Sequence, residues 1–159
     1  MKIGLIVYSQ TGNTLQVANK LMEALTAAGQ DVHLEQITAD INDPKTPGKP
    51  VITLAPDPNK YDRLCFAAPV QAFSLCAVMK TYLAQMPMLD GKHVACFVTQ
   101  HFSRPWLGGN HAIRQMTAAI AQKGGILGPT GIINWSNPLK DEQIESLISL
   151  LSRVSPDMW

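Results

Sequence analysis

Hydrophobic positions follow two rhythms along this chain. Residues 2–8 are apolar on nearly successive positions, with Ile3, Leu5, Ile6 and Val7, as in a strand buried on both faces. Thr14, Ala18, Leu21, Met22, Leu25 and Ala28 then recur at three- and four-residue steps, which marks one face of a helix that Gly29 stops. Val32, Leu34 and Ile37 alternate loosely in a short second strand over 31–37. Residues 61–68 read as a strand, 74–85 as a helix ending before Pro87, and 92–100 as a long apolar strand. A helix over about 110–123 is stopped by Gly124-Gly125, and a glycine-interrupted strand occupies 125–135. A last helix over 141–154 sets Ile144, Leu147, Ile148 and Leu151 on one face.

One segment breaks the alternation. Residues 39–60 carry prolines at 44, 47, 50, 56 and 58, which remove backbone donors and disfavour helix before each ring. No regular helix fits there, and the expectation is a solvated, extended crossing with Val51, Ile52 and Leu54 held against the body. Strand and helix otherwise alternate, which implies an α/β fold with a parallel sheet, helices on both faces and right-handed crossovers. Five strands match the three-layer, doubly wound order 2-1-3-4-5, with residues 1–159 forming one domain. Ligands in such sheets bind beyond the carboxyl ends of the strands, so the loops after Tyr8, Ala68 and Gln100 are the ones to inspect.

Composition narrows the function classes. Apolar residues make up 46% of the 159 positions and charged residues 16%, as in a globular protein. A formal charge of +1 gives no footprint for nucleic acid and argues against strong steering toward a highly charged partner. Cys65, Cys76 and Cys96 lack C-x-x-C spacing, and Cys65 and Cys96 lie in apolar runs as small hydrophobes, which suits a reducing compartment. The opening apolar run is too short to span a membrane and no small-residue cleavage site follows it, so a cytoplasmic location is expected. Histidines 33, 93, 101 and 111 show no metal-ligand spacing, and no metal site is expected.

The polar hexad Ser9-Gln10-Thr11-Gly12-Asn13-Thr14 follows the first strand and opens the first helix. Free backbone N–H groups and the positive end of the helix dipole favour a phosphate there without lysine or arginine. Gly12 lets the backbone approach an anion, and Ser9, Thr11 and Thr14 have hydroxyls to donate. A nucleoside triphosphate loop needs G-x-x-x-x-G-K-[ST] and a dinucleotide loop needs G-x-G-x-x-G; neither follows this strand. A cysteine for phosphatase chemistry and an aspartate for phosphoacceptor chemistry are also missing. Helix capping by Thr11 or Asn13 accounts for one residue of the six.

Tyr8-Ser9-Gln10-Thr11-Gly12-Asn13-Thr14 resembles the flavodoxin signature, whose [ST]-x-T-G-x-T loop holds the phosphate of flavin mononucleotide (FMN). The similarity continues through Phe66-Ala67-Ala68-Pro69-Val70 and Leu89-Asp90-Gly91-Lys92-His93-Val94-Ala95. It implies that the loops after the third and fourth strands flank the flavin ring. By position these are Pro69, Val70, Gln71, Ala72 and Phe73, and Thr99, Gln100, His101 and Phe102. Phe73, Phe102 and Trp106 would offer flat apolar faces, backbone groups near Gln71 and Gln100 would meet the pyrimidine edge, and Arg104 would lie near the ring or on the surface. Two positions depart from the pattern: many relatives carry tryptophan at the place of Gln71 and glycine at the place of Phe73. That glycine often permits a peptide flip that stabilises the one-electron form.

The resemblance implies an FMN-dependent redox protein that passes electrons to a partner protein or a small-molecule acceptor. An FMN-dependent NAD(P)H oxidoreductase acting on a quinone or similar acceptor is the alternative, and a flavin-free interaction module a third. Fold alone does not choose among them.

Overall fold

The computed structural model describes residues 1–41, 48–153 and 159. Its main sheet holds five parallel strands: β1 (Lys2–Val7), β2 (Asp31–Gln36), β5 (Arg63–Gln71), β7 (His93–Gln100) and β8 (Ile126–Asn134), in the order β2-β1-β5-β7-β8. Counting these strands alone, the order is 2-1-3-4-5, as the hydrophobic pattern implies. Helices α1 (Asn13–Ala27), α2 (Ala77–Gln85), α3 (Gly109–Gln122) and α4 (Lys140–Leu151) cover the two faces. The expected end of the last helix at Val154 lies outside the described residues.

The two faces bury separate cores. On one side, Val17, Leu21 and Leu25 of α1 and Ile144, Leu147 and Leu151 of α4 pack on Ile3, Leu5, Cys65, Ala95 and Phe97. Trp159 joins them, fully buried, and its indole Nε1 donates to the Leu151 carbonyl at 3.0 Å. On the other side, Val78, Met79, Tyr82 and Leu83 of α2 and Ala112, Met116 and Ile120 of α3 pack on Ile6, Phe66, Cys96 and Val98. Strands β1, β5 and β7 are buried on both sides, which is why they read as continuous apolar runs. Each large aliphatic or aromatic side chain so buried contributes roughly 1.5–3 kcal/mol through the hydrophobic effect.

Two segments differ from the sequence pattern. The proline-rich crossing holds no α-helix, but it is more than an extended strap. Strands β3 (Thr38–Asp40) and β4 (Val51–Leu54) pair antiparallel, and a single 3-10 turn, Pro58–Lys60, leads to β5. Prolines 44 and 47 lie outside the described residues. Ile52 packs on the α2-side core, whereas Val51, on the opposite face of the ribbon, and Leu54, beyond the register shift between Thr38 and Ala39, are exposed. This ribbon packs against α2 and helps cover the face on which α2 and α3 lie.

The second difference is at residues 74–85. The helix begins at Ala77, while Ser74–Leu75 forms a two-residue strand, β6, antiparallel to the end of β5. Val70 pairs with Leu75 and Gln71 with Ser74, so Ala72 and Phe73 make the turn of a tight hairpin. Both turn residues have positive φ, 50° and 60°, as a type I′ hairpin turn requires.

Candidate functional site

The carboxyl ends of β1, β5 and β7 bring the three expected loops to one edge of the sheet. In the first loop Gly12 has φ 96°, a left-handed geometry that turns the chain into α1. A Cβ placed there would meet nothing within 4 Å, so the space above this turn is open. Ser9 Oγ accepts hydrogen bonds from the N–H groups of Gly12 and Leu15, both at 3.2 Å. That fixes the loop and leaves the hydroxyl proton of Ser9 free to donate outward. The N–H groups of Gln10, Thr11, Asn13 and Thr14 have no acceptor among the described residues. Neither Thr11 nor Asn13 caps α1; the side chain that accepts from its first turn is Ser9, through the Leu15 N–H. Four donors, two further hydroxyls and the positive end of a 15-residue helix therefore share one small surface.

Thr14 is placed differently from its neighbours. It is 1% exposed, and its Oγ1 shares a hydrogen bond with Thr99 Oγ1 at 2.7 Å. One hydroxyl donates to the other, so the pair ties the start of α1 to the end of β7 and keeps one proton to offer elsewhere. Gln10 and Gln71 also meet: the Gln71 Nε2 donates to the Gln10 Oε1. The first and second loops are thereby linked across the open edge.

The second loop is held from behind. Gln115 of α3 accepts at its Oε1 from the Leu75 N–H at 2.8 Å and from Ser74 Oγ at 3.0 Å. Gly108, just before α3, packs so close to the hairpin that a Cβ would fall 2.7 Å from the Phe73 Cα. Pro69 and Val70 are half-buried, and the Pro69 carbonyl accepts from the Cys76 N–H at 3.2 Å. Phe73 thus projects from a braced turn and stacks on Phe102 of the third loop, with centroids 5.2 Å apart and planes at 6°. Both rings are largely solvent-exposed, at 56% and 41%.

The third loop has a buried strut and an exposed rim. Gln100 is 3% exposed; its Nε2 donates to the Arg104 carbonyl at 2.6 Å and to Asn134 Oδ1, while its backbone carbonyl accepts from Trp135 N–H at 2.8 Å. Both side-chain partners are acceptors, so the amide must turn its NH₂ end toward them. Its Oε1 is buried with no donor among the described residues. Ser136 and Asn137 hold the loop from the β8 side by donating to the carbonyls of His101 and Ser103. On the rim, the His101 ring meets Phe102 edge-on at 6.0 Å, and the Arg104 guanidinium sits 5.1 Å from the Trp106 ring.

No protein-family model matches the sequence, and no curated relative does. Solved structures do match in shape. Flavodoxin 1 of Bacillus cereus aligns with a TM-score of 0.66 at 16% identity, covering 98% of this chain and all of its own. The Megasphaera elsdenii flavodoxin gives 0.64 at 18%, covering 96% and 99%. The fold is that of the flavodoxins. A WrbA-like flavodoxin from Agrobacterium tumefaciens gives 0.70 at 13%, covering 96% of this chain and 94% of its own. At such identities the likeness is one of architecture, and the flavodoxin-like chain must be read through its own loops.

Sequence reading misses Gln115, Gly108 and Asn134 as supports of these loops. Each acts through a contact 34 or more positions away in sequence, which no local pattern encodes. Among the described residues, no group of three or more His, Cys, Asp or Glu is arranged to hold a metal ion, and no helix is long and apolar enough to cross a membrane.

Proposed function

We propose that this chain binds FMN without covalent attachment and transfers electrons through it. The observation that carries the reading is the first loop: four N–H groups without acceptors, beside the hydroxyls of Ser9 and Thr11, at the N-terminus of α1. A phosphate monoester fits this donor set, because amides and a helix dipole neutralise it where no lysine or arginine stands. The N–H groups of Gln10, Thr11, Asn13 and Thr14 and the hydroxyls of Ser9 and Thr11 would hold the phosphate, with Gly12 turning the chain and the Thr14 hydroxyl fixing the helix start through Thr99.

Phe73 and Phe102 would serve the flavin ring. When bound, the isoalloxazine supplies one- and two-electron redox chemistry that no side chain offers. The two phenyl rings, 5.2 Å apart, leave no room between them, since a third ring needs about 7 Å between its flanking faces. The flavin ring would therefore stack on an outer face of the pair or part it. Gln10, exposed, and Gln71, half-buried, are linked and would exclude water from the edge between phosphate and ring.

FMN fluorescence titration tests the reading. Quenching with a Kd near 1 μM or tighter, roughly 8 kcal/mol of binding free energy, is expected. Thr11→Asp should weaken FMN far more than riboflavin, because the added carboxylate repels only the phosphate. Equal losses for the two would show that the first loop is not the phosphate site. Anaerobic mixing of the FMN form with NADPH separates a carrier, which stays oxidised, from an NAD(P)H oxidoreductase, which bleaches.

A further inference from the structure

The whole-chain charge of +1 averages two unlike regions. Residues 63–140 hold seven lysines and arginines and a single acid, Asp90, while the rest of the chain carries six cations and eleven acids. No aspartate or glutamate occurs between Gly91 and Lys140. Within this cationic stretch lie the hairpin of Phe73, the whole third loop and the first turns of α3. Lys80 reaches the hairpin, donating from Nζ to Ser74 Oγ at 3.2 Å. Arg104 lies over Trp106, and His111 and Arg114 are exposed one turn apart on α3. None of Lys80, Arg104 and Arg114 meets a carboxylate among the described residues. The N-terminus of α3, which no side chain caps, adds its own positive end.

The same surface exposes aromatics. Phe73, Phe102 and Trp106 are 56%, 41% and 65% exposed. Large exposed rings beside arginine are the residue types that dominate protein–protein contacts. Their backbones are braced by Gln115, Gln100, Ser136 and Asn137, so the rings are presented without ordering a loop on contact. Asp141 and Glu142, in the first turn of α4 after Lys140, bring the acidic remainder of the chain back.

We propose that the platform of Phe73, Phe102 and Trp106, ringed by Lys80, Arg104 and Arg114, docks an acidic face of a protein partner. The cations select and steer that partner, and the rings supply the apolar contact. The platform's use as an electron-transfer contact rests on the flavin reading, since Phe73 and Phe102 are also the rings assigned to the flavin; its capacity to dock does not.

The test is amide and indole NMR of the isotope-labelled protein, with and without FMN, titrated with poly-L-glutamate as an acidic-surface probe. Shifts are expected at residues 72–75, 101–107 and the Trp106 indole, with affinity falling about tenfold between low and physiological salt. Arg104→Glu combined with Arg114→Glu should remove the binding, and Trp106→Ala should weaken it with the salt dependence kept. Both changes are at exposed positions, and the wild-type salt series decides the matter without them. Shifts scattered over the surface, or centred on Lys92 or Lys123, would overturn the proposal. So would tighter binding at these residues of a single-stranded oligonucleotide or of the planar anion anthraquinone-2-sulfonate. FMN titration of the same sample reports separately on the flavin reading, so either idea can fail alone.

Discussion

At Thr14 the sequence and the fold assign the same hydroxyl two tasks. Its place in the hexad suits an anion donor, yet in three dimensions it is buried against Thr99, 85 residues away. Thr14→Val keeps the shape and leaves Thr99 Oγ1 unpaired in the interior, at a cost of about 1–2 kcal/mol. Urea denaturation should show that loss, while FMN affinity falls only modestly because the loop amides remain. Collapse of FMN binding at unchanged stability would instead put Thr14 directly on the phosphate. Ala72 offers the opposite sign. Its φ of 50° is unfavourable for any residue with a Cβ, by about 1–2 kcal/mol. Ala72→Gly removes that strain and adds some unfolded-state entropy, so a net gain of about 0.5–1 kcal/mol is expected. A lower melting temperature would mean that the turn is not held as described. The chemistry of the hexad is legible in sequence because it is local, whereas the Thr14–Thr99 bond depends on which strand lies beside which.

At the scale of elements, strands and helices with strong periodicity are legible to within a few residues. The hairpin at 70–75 is not. Type I′ turns ordinarily announce themselves with Asn-Gly or Asp-Gly, and Ala-Phe carries no such signal. Ser74 and Leu75 instead look like the first turn of α2, and what keeps them out of the helix is Gln115, which takes the Leu75 N–H. Gln115→Leu should therefore release the hairpin. Leu75 is buried, and stranding its amide costs about 1–3 kcal/mol. Hydrogen exchange at Leu75 should accelerate strongly, and FMN should bind more weakly than to the parent while free phosphate is unaffected. Unchanged exchange at Leu75 would show that the hairpin stands without this brace. The β3–β4 ribbon is illegible for a related reason: its two strands are three and four residues long, and their pairing spans residues that proline hides from any periodic reading.

Across the whole molecule, burial places every described thiol and several phenols under one pH-dependent constraint. Cys65 lies in the α1–α4 core, Cys96 in the α2–α3 core, and Cys76 at the start of α2. Burial pushes the Cys76 thiol up to about 11, against the opposing pull of the Met79 amide and Lys80. It pushes Cys96 up to about 12, and it raises Cys65 well above its ordinary value with help from Cys96. Tyr61 and Tyr82 are raised chiefly by burial, then by nearby carboxylates. Each group is neutral when folded and ionises more readily when unfolded. Above the ordinary thiol value near 9, the unfolded chain thus holds fewer protons than the native one, and stability falls as pH rises. Below that value the contribution is constant. For Cys76 alone the loss amounts to about 2–3 kcal/mol by pH 11, at about 1.4 kcal/mol per pH unit. Urea midpoints at pH 6.5, 8 and 10.5 should be level over the first interval and drop over the second. An aromatic disulfide reagent at pH 8 should find no reactive thiol until denaturant is added, and then find three. Rapid reaction of any cysteine in the native protein would contradict this account and would make that thiol a surface group.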